Sequence, residues 1–272
     1  MPELPEVETC RRGITPHLTG EVIARITVRN SALRWPVPCS QLTKLKGEKI
    51  LSVEREGKYL KLLVSSGYIL IHLGMSGSLR ILDKPDAPPG KHDHIDLITA
   101  SGTCLRYNDP RRFGCWLFHD HPETRHPLLA TLGVEPLSKK FTGDYLFEKT
   151  RKRKAPIKNL IMDSHVVTGV GNIYACESLF MAGISPKRPA GRVSAPEAGR
   201  LVEAIRKVLL FAIEQGGTTL RDFVGSDGKP GYFRQQLAVY GREGDSCPQC
   251  RLAIENIRIG QRSSFFCPHC QK

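Results

Sequence analysis

Apolar and polar positions change rhythm twice along the chain. Residues 6–18 read as a helix that stops at Thr19-Gly20. From residue 21 to 119 the pattern breaks into short runs at 22–28, 50–55, 59–64, 68–73, 78–82, 94–99, 104–107 and 115–118, separated by Gly, Pro, Asp or Ser. Strands this short and this closely spaced predict an antiparallel sandwich or flattened barrel. From Pro136 the helical period returns, with helices expected over 156–162, 172–181 and 194–215. The last carries an apolar stripe of Leu201, Ile205, Val208, Leu209, Ala212 and Ile213, and Gly216-Gly217 ends it. The stretch 225–231, Gly-Ser-Asp-Gly-Lys-Pro-Gly, has the composition of a mobile loop. A cysteine-bearing tail follows. The expected fold is multidomain α and β: an N-terminal antiparallel β-sandwich with an N-terminal helix (1–135), a helical domain (136–237) and a C-terminal zinc-finger β-hairpin (238–272).

Charge sharpens that outline. Forty Lys and Arg against 27 Asp and Glu leave a formal +13 over 272 residues, which argues for a polyanionic partner, nucleic acid first. Membrane surfaces also attract basic proteins, but no apolar run approaches ~18 residues and no signal-peptide core follows Met1. A cytosolic protein is expected. Cys247, Cys250, Cys267 and Cys270 form C-x2-C-x16-C-x2-C, the spacing of a structural four-thiolate zinc site, in which the metal supplies folding energy that so short a tail cannot. Cys10, Cys39, Cys104, Cys115 and Cys176 are read as reduced, mostly buried thiols. Between the zinc pairs a hairpin is expected, with Arg262 near its tip or second strand and able to meet phosphate. A zinc ribbon that binds protein fits that tail equally well.

The opening residues, Met-Pro-Glu-Leu-Pro-Glu-Val-Glu, carry the sharpest chemistry. Once Met1 is removed, Pro2 is a secondary amine able to attack a sugar C1′ and form a cationic iminium, with Glu3 beside it to move protons. The competing reading is structural: Pro5 in the first turn and Glu3, Glu6 and Glu8 at the positive end of a helix dipole. Elsewhere, Met75 lies between Gly74 and Gly77, and Arg111 and Phe113 lie in Asp109-Pro-Arg-Arg-Phe-Gly114. These side chains suit either a wedge into a base stack or an anchor in the core. Lys58 is a cleft cation or a strand-end charge. His92 suits phosphate and His94 a hydrogen bond, in preference to a metal. The run 150–154, ending in Lys154, is a DNA-facing or merely solvated charge cluster. Gly171-Asn172 before a helix lets backbone and side chain approach phosphate.

Six motifs and the cysteine tail occur in one order: Pro2-Glu-Leu-Pro-Glu-Val-Glu, His72-Leu-Gly-Met-Ser-Gly, Asp109-Pro-Arg-Arg-Phe-Gly, Gly169-Val-Gly-Asn-Ile-Tyr-Ala, Gln215-Gly-Gly-Thr-Thr and Ser226-Asp-Gly-Lys-Pro-Gly-Tyr. In these the chain resembles bacterial formamidopyrimidine-DNA glycosylases over essentially its whole length. The resemblance implies a β-sandwich, a helix–two-turn–helix domain and a zinc finger. It also implies excision of 8-oxoguanine and formamidopyrimidines from damaged double-stranded DNA, followed by β,δ-elimination. Pro2 would be the Schiff-base nucleophile, Glu3 the acid, Lys58 the β-elimination lysine and Arg262 the arginine of δ-elimination. His92, Arg111, Lys154 and Asn172 would contact DNA. Met75, Arg111 and Phe113 would fill the void left by the flipped nucleotide, and 225–231 would cover the extruded base. One structural zinc, no redox cofactor, and a monomer in the bacterial cytoplasm acting on the nucleoid complete the expectation. Rival readings are the pyrimidine-preferring relatives resembling endonuclease VIII and a noncatalytic zinc-dependent DNA-binding protein.

Overall fold

The computed structural model describes residues 1–82, 87–217 and 236–272; the glycine-rich stretch 225–231 lies outside them. The chain divides into two compact units, Met1–Ala130 with Gln215–Arg234, and Thr131–Glu214 with Gln235–Lys272. No helix among the described residues is long and apolar enough to cross a membrane.

The first unit contains α1 (Leu4–Leu18), β1 (Ile23–Val28), α2 (Cys39–Thr43), β2 (Ser52–Glu56), β3 (Tyr59–Val64), β4 (Gly67–His72), β5 (Ser78–Leu82), β6 (Asp93–Thr99), β7 (Cys104–Asn108), β8 (Cys115–His119) and α3 (Pro127–Ala130). The eight strands form two four-stranded antiparallel sheets, β1-β6-β7-β5 and β2-β3-β4-β8. Alternation in β3 sends Leu60, Leu62 and Val64 inward. They join Ile71, Leu97, Leu105, Tyr107 and Trp116, and Val7, Cys10, Ile14 and Leu18 from one face of α1, in a single apolar core. β6, paired on both edges, is buried along its whole length. Its buried charges are compensated: Asp96 accepts two hydrogen bonds from Arg106, each at 2.9 Å, and pairs with Arg29.

Helix α1 begins two residues before the expected start. Glu3 takes the N-cap, and its backbone N–H donates to Glu6 Oε2 at 2.8 Å, one arm of a capping box. Pro5 sits in the first turn, where no intrahelical donor is lost.

The second unit holds α4 (Gly143–Thr150), α5 (Ile157–Met162), α6 (Asn172–Ala182), α7 (Ala195–Glu214), and the hairpin β9 (Glu255–Ile259) and β10 (Arg262–Phe266). α6 stops at Gly183, which adopts the left-handed conformation (φ 70°). α7 starts at a Ser194/Glu197 capping box and buries the stripe read from the sequence. α4 was not expected. Its signal was Thr142, whose hydroxyl accepts from the Tyr145 N–H, followed by a glycine that weakens helical propensity. The segment leading into the cysteine module is held to α6 by Glu177, whose buried carboxylate accepts the backbone N–H groups of Ala238, Val239 and Tyr240 at 2.8–3.0 Å.

Candidate active site and metal centre

Pro2 and Glu3 are buried at the amino end of α1, with Glu3 only 3% exposed. Five residues on, Glu8 links this helix end to the β2–β3 hairpin. Its carboxylate binds Arg11 and Arg12 on its own helix and Arg55 Nε at 3.2 Å on β2. Arg55 in turn donates to the carbonyl of Gly57 at 3.0 Å. Gly57 and Lys58 are the two residues between Glu56 and its cross-strand partner Tyr59, so the arginine grips the turn that presents Lys58. Burial raises the Glu8 pKa, but hydrogen bonds from Arg11 and Arg12 and the charges of Arg11 and Arg55 outweigh it and lower it to about 2.

The end of β4 lies beside that turn. The His72 ring is tilted against Tyr59, centroids 4.8 Å apart, and its Nδ1 accepts the Gly74 N–H at 2.9 Å. Burial, with the charges of Lys58 and Arg34, pushes its pKa down to about 4. A neutral ring is what an accepting Nδ1 requires.

Two loops meet next to it. Residues 73–77 carry Met75, which is half-buried, and residues 109–114 carry Arg111 and Phe113, which are exposed. Phe113 is 45% exposed and lies under the Arg111 guanidinium at 4.8 Å. Its core-anchor reading therefore fails. A Cβ on Gly74 would sit 2.5 Å from the Gly114 nitrogen, and one on Gly114 would lie 2.3 Å from the His72 carbonyl oxygen. Only glycines let these backbones come so close. His92 is half-buried. His94 is buried, with Nε2 at 2.9 Å from the Asp109 carbonyl oxygen, the hydrogen-bonding role expected of it.

In the second unit Asn172 and Arg262 are neighbours. Asn172 Nδ2 donates to the Ser263 carbonyl at 3.0 Å, and the same oxygen accepts from Lys158 Nζ at 3.0 Å. Lys158 is 1% exposed and also donates to Ser264 Oγ at 2.6 Å. Sequence reasoning gave this lysine no role, although a cation within the apolar helix Ile157–Met162 was a usable signal. It fixes the start of β10, from which Arg262 projects, exposed. Lys154 is exposed together with Lys152 and Arg153.

Among the described residues the four cysteines are the one group placed to hold a metal. Their sulfurs all lie within 4.8 Å of one another, with Cys247–Cys270 at 3.9 Å and Cys250–Cys267 at 3.4 Å. A tetrahedron of Zn–S bonds of about 2.3 Å has edges of about 3.8 Å, so the donor set fits one structural zinc. The Cys270 N–H, directed at Cys267 Sγ at 3.4 Å, suits a ligating thiolate. Of the other five cysteines, Cys39 alone is exposed.

Comparison with known proteins agrees along the chain. Family models match residues 1–116 (formamidopyrimidine-DNA glycosylase N-terminal domain), 132–224 (formamidopyrimidine-DNA glycosylase H2TH domain) and 244–272 (zinc finger found in FPG and IleRS). The formamidopyrimidine-DNA glycosylase of Serratia proteamaculans is 58% identical over 272 residues, covering all of both chains. The crystal structure of the MutM (Fpg) protein from Thermus thermophilus superimposes with a TM-score of 0.88 at 40% identity, over 99% of this chain and 98% of that one. A glycine-to-proline variant of the Lactococcus lactis Fpg, bound to Fapy-dG-containing DNA, gives 0.92 at 33% identity over the whole of both chains.

Proposed function

The chain belongs to the formamidopyrimidine-DNA glycosylase family, and from that footing we propose that it removes oxidised purines, 8-oxoguanine and formamidopyrimidines, from duplex DNA and then cuts the abasic strand. The observation that carries the reading is the buried Pro2-Glu3 pair at the head of α1, on a helix tied through Glu8 and Arg55 to the turn bearing Lys58. Three segments share the work: 1–135 for chemistry, 136–237 for gripping DNA and 238–272 for the zinc-stapled hairpin.

The damaged nucleotide must leave the stack before C1′ can be reached. Met75 and Phe113 fill the gap and Arg111 hydrogen-bonds the widowed base, offsetting an unstacking cost of a few kcal/mol. His92, Lys154 and Asn172 hold phosphates. Pro2, freed of Met1, attacks C1′ with its lone pair. The C1′–N bond breaks and the base departs with a proton, while Glu3 assists base departure and opening of the sugar. The resulting iminium acidifies C2′. Loss of that proton, in which Lys58 takes part, expels the 3′ phosphate; a second elimination, with Arg262 at the backbone, expels the 5′ phosphate. Water then hydrolyses the imine and returns Pro2. The enzyme works as a monomer on the DNA of the bacterial cytoplasm and needs no redox cofactor.

Borohydride reduction tests the imine directly. With an 8-oxoguanine:C duplex the native protein is expected to give a covalent adduct through Pro2. Pro2→Gly should bind DNA yet trap far less, and Glu3→Gln should lose excision by about a hundredfold while still being trapped on a preformed abasic site. Undiminished trapping by Pro2→Gly would move the nucleophile elsewhere. A marked preference for oxidised-pyrimidine duplexes would overturn the substrate assignment.

A further inference from the structure

Asp109 is completely buried and has no role in the chemistry above, yet it bonds to both of the loops that carry the side chains proposed to fill the flipped nucleotide's vacancy. Its Oδ1 accepts from Ser76 Oγ at 3.3 Å, on the loop of Met75. Its Oδ2 accepts from the Gly114 N–H at 2.9 Å, closing the loop of Arg111 and Phe113, and from the Tyr107 hydroxyl at 3.0 Å. Its own N–H donates to the His92 carbonyl at 3.0 Å, and its carbonyl oxygen meets His94 Nε2 at 2.9 Å. Burial, together with the charge of Asp109 and the hydrogen bond to it, raises the Tyr107 pKa well above its ordinary value, so that hydroxyl stays a donor.

We propose that Asp109 is a positioning residue whose carboxylate latches the loop of Met75 to the loop of Arg111 and Phe113, so that the three side chains enter the duplex as one preformed wedge. This rests on the functional reading above. A carboxylate is an acceptor only, and three donors from three different backbone segments converge on this one. Side chains at the tips of two separate loops would otherwise have to be ordered at the moment of insertion, at an entropic cost that a preformed support removes. The turn itself does not need the latch. The Arg112 N–H already closes it on the Asp109 carbonyl at 3.2 Å, and Arg112 takes up the left-handed bend at φ 56°.

The test compares two substrates of one protein. Excision from an 8-oxoguanine:C duplex requires the wedge, whereas strand cleavage at a single-stranded abasic site has no partner base to displace. Asp109→Ala should lower the duplex rate relative to the single-strand rate by at least about tenfold, the scale of losses caused by small misplacements remote from the reacting atoms. Ser76→Ala, which cuts only the link between the loops, should shift the ratio the same way by a smaller factor. Asp109→Asn should restore most of it, because the Ser76 hydroxyl can turn and accept from the new amide. A 2-aminopurine opposite an abasic analogue should lose its binding-induced brightening in Asp109→Ala and Ser76→Ala. If Asp109→Ala does not fold, Ser76→Ala decides. A wild-type ratio and wild-type brightening in Ser76→Ala, or equal losses on both substrates in every variant, would overturn the latch while leaving the imine chemistry standing. A native protein that traps no adduct would instead overturn the functional reading beneath it.

Discussion

Three glutamates crowd the first turns of α1, and their partners give them different tasks. Glu6 closes the capping box on the Glu3 N–H, so the structural reading of the opening motif holds for it, while Glu3 caps the helix and is the residue proposed above as the acid. Glu8 is the ionic hinge between α1 and the Lys58 turn. With its pKa lowered from 4.5 to about 2, Glu8 binds fewer protons folded than unfolded, so it adds stability above pH ~4.5 that drains away as pH falls toward 2. The shift corresponds to about 3 kcal/mol as an upper figure for a mostly buried group. Glu8→Gln should therefore lower the thermal midpoint at pH 7, and the gap to the native protein should narrow by pH 3. A gap that stays constant with pH would show that the ion pairs contribute little. Only the chain's own helical spacing pointed to Glu8. Its partner Arg55, 47 positions away, was invisible until the sheet brought it near.

At the level of elements, every helix and strand expected from hydrophobic period is present, with ends shifted by a residue or two, and α2, α3 and α4 are additional short helices with no such expectation. β6 shows why a strand can lack alternation: Ile95 and Leu97 enter the core, while Arg29 and Arg106 pair with the buried Asp96 between them in sequence. The hairpin β9–β10 is the element least able to stand alone. Its apolar cluster is small, with Phe265 and Tyr240 against Cys176, Phe180, Val239 and Ile254, and the thiolates bring four charges together unless a cation neutralises them. Titration with a thiol reagent should release one zinc per chain. Chelation should abolish tight binding to lesion DNA while leaving the far-ultraviolet signal of the sandwich; full binding by a zinc-free protein would exclude a structural metal.

For the molecule as a whole, the formal charge of +13 suits a polyanion, and each phosphate that its cations neutralise adds to the salt dependence of DNA binding. Replacing Arg262 with Ala should weaken binding uniformly across sequences and flatten the slope of log K against log salt by about one unit. An unchanged slope would remove Arg262 from the backbone. The order of motifs, the cysteine spacing, the alternation of the strands and the charge are properties of the linear chain. They determined the fold class, the zinc ligands and the family, because each can be read along the chain without knowing which distant residues meet. What only the tertiary structure decided is which distant groups share a buried environment. Asp109 meets Ser76 across 33 positions, Lys158 meets Ser264 across 106, and Glu8 meets Arg55 because α1 lies on β2. A buried polar group must find its partner wherever the core places one, and no local pattern encodes that pairing.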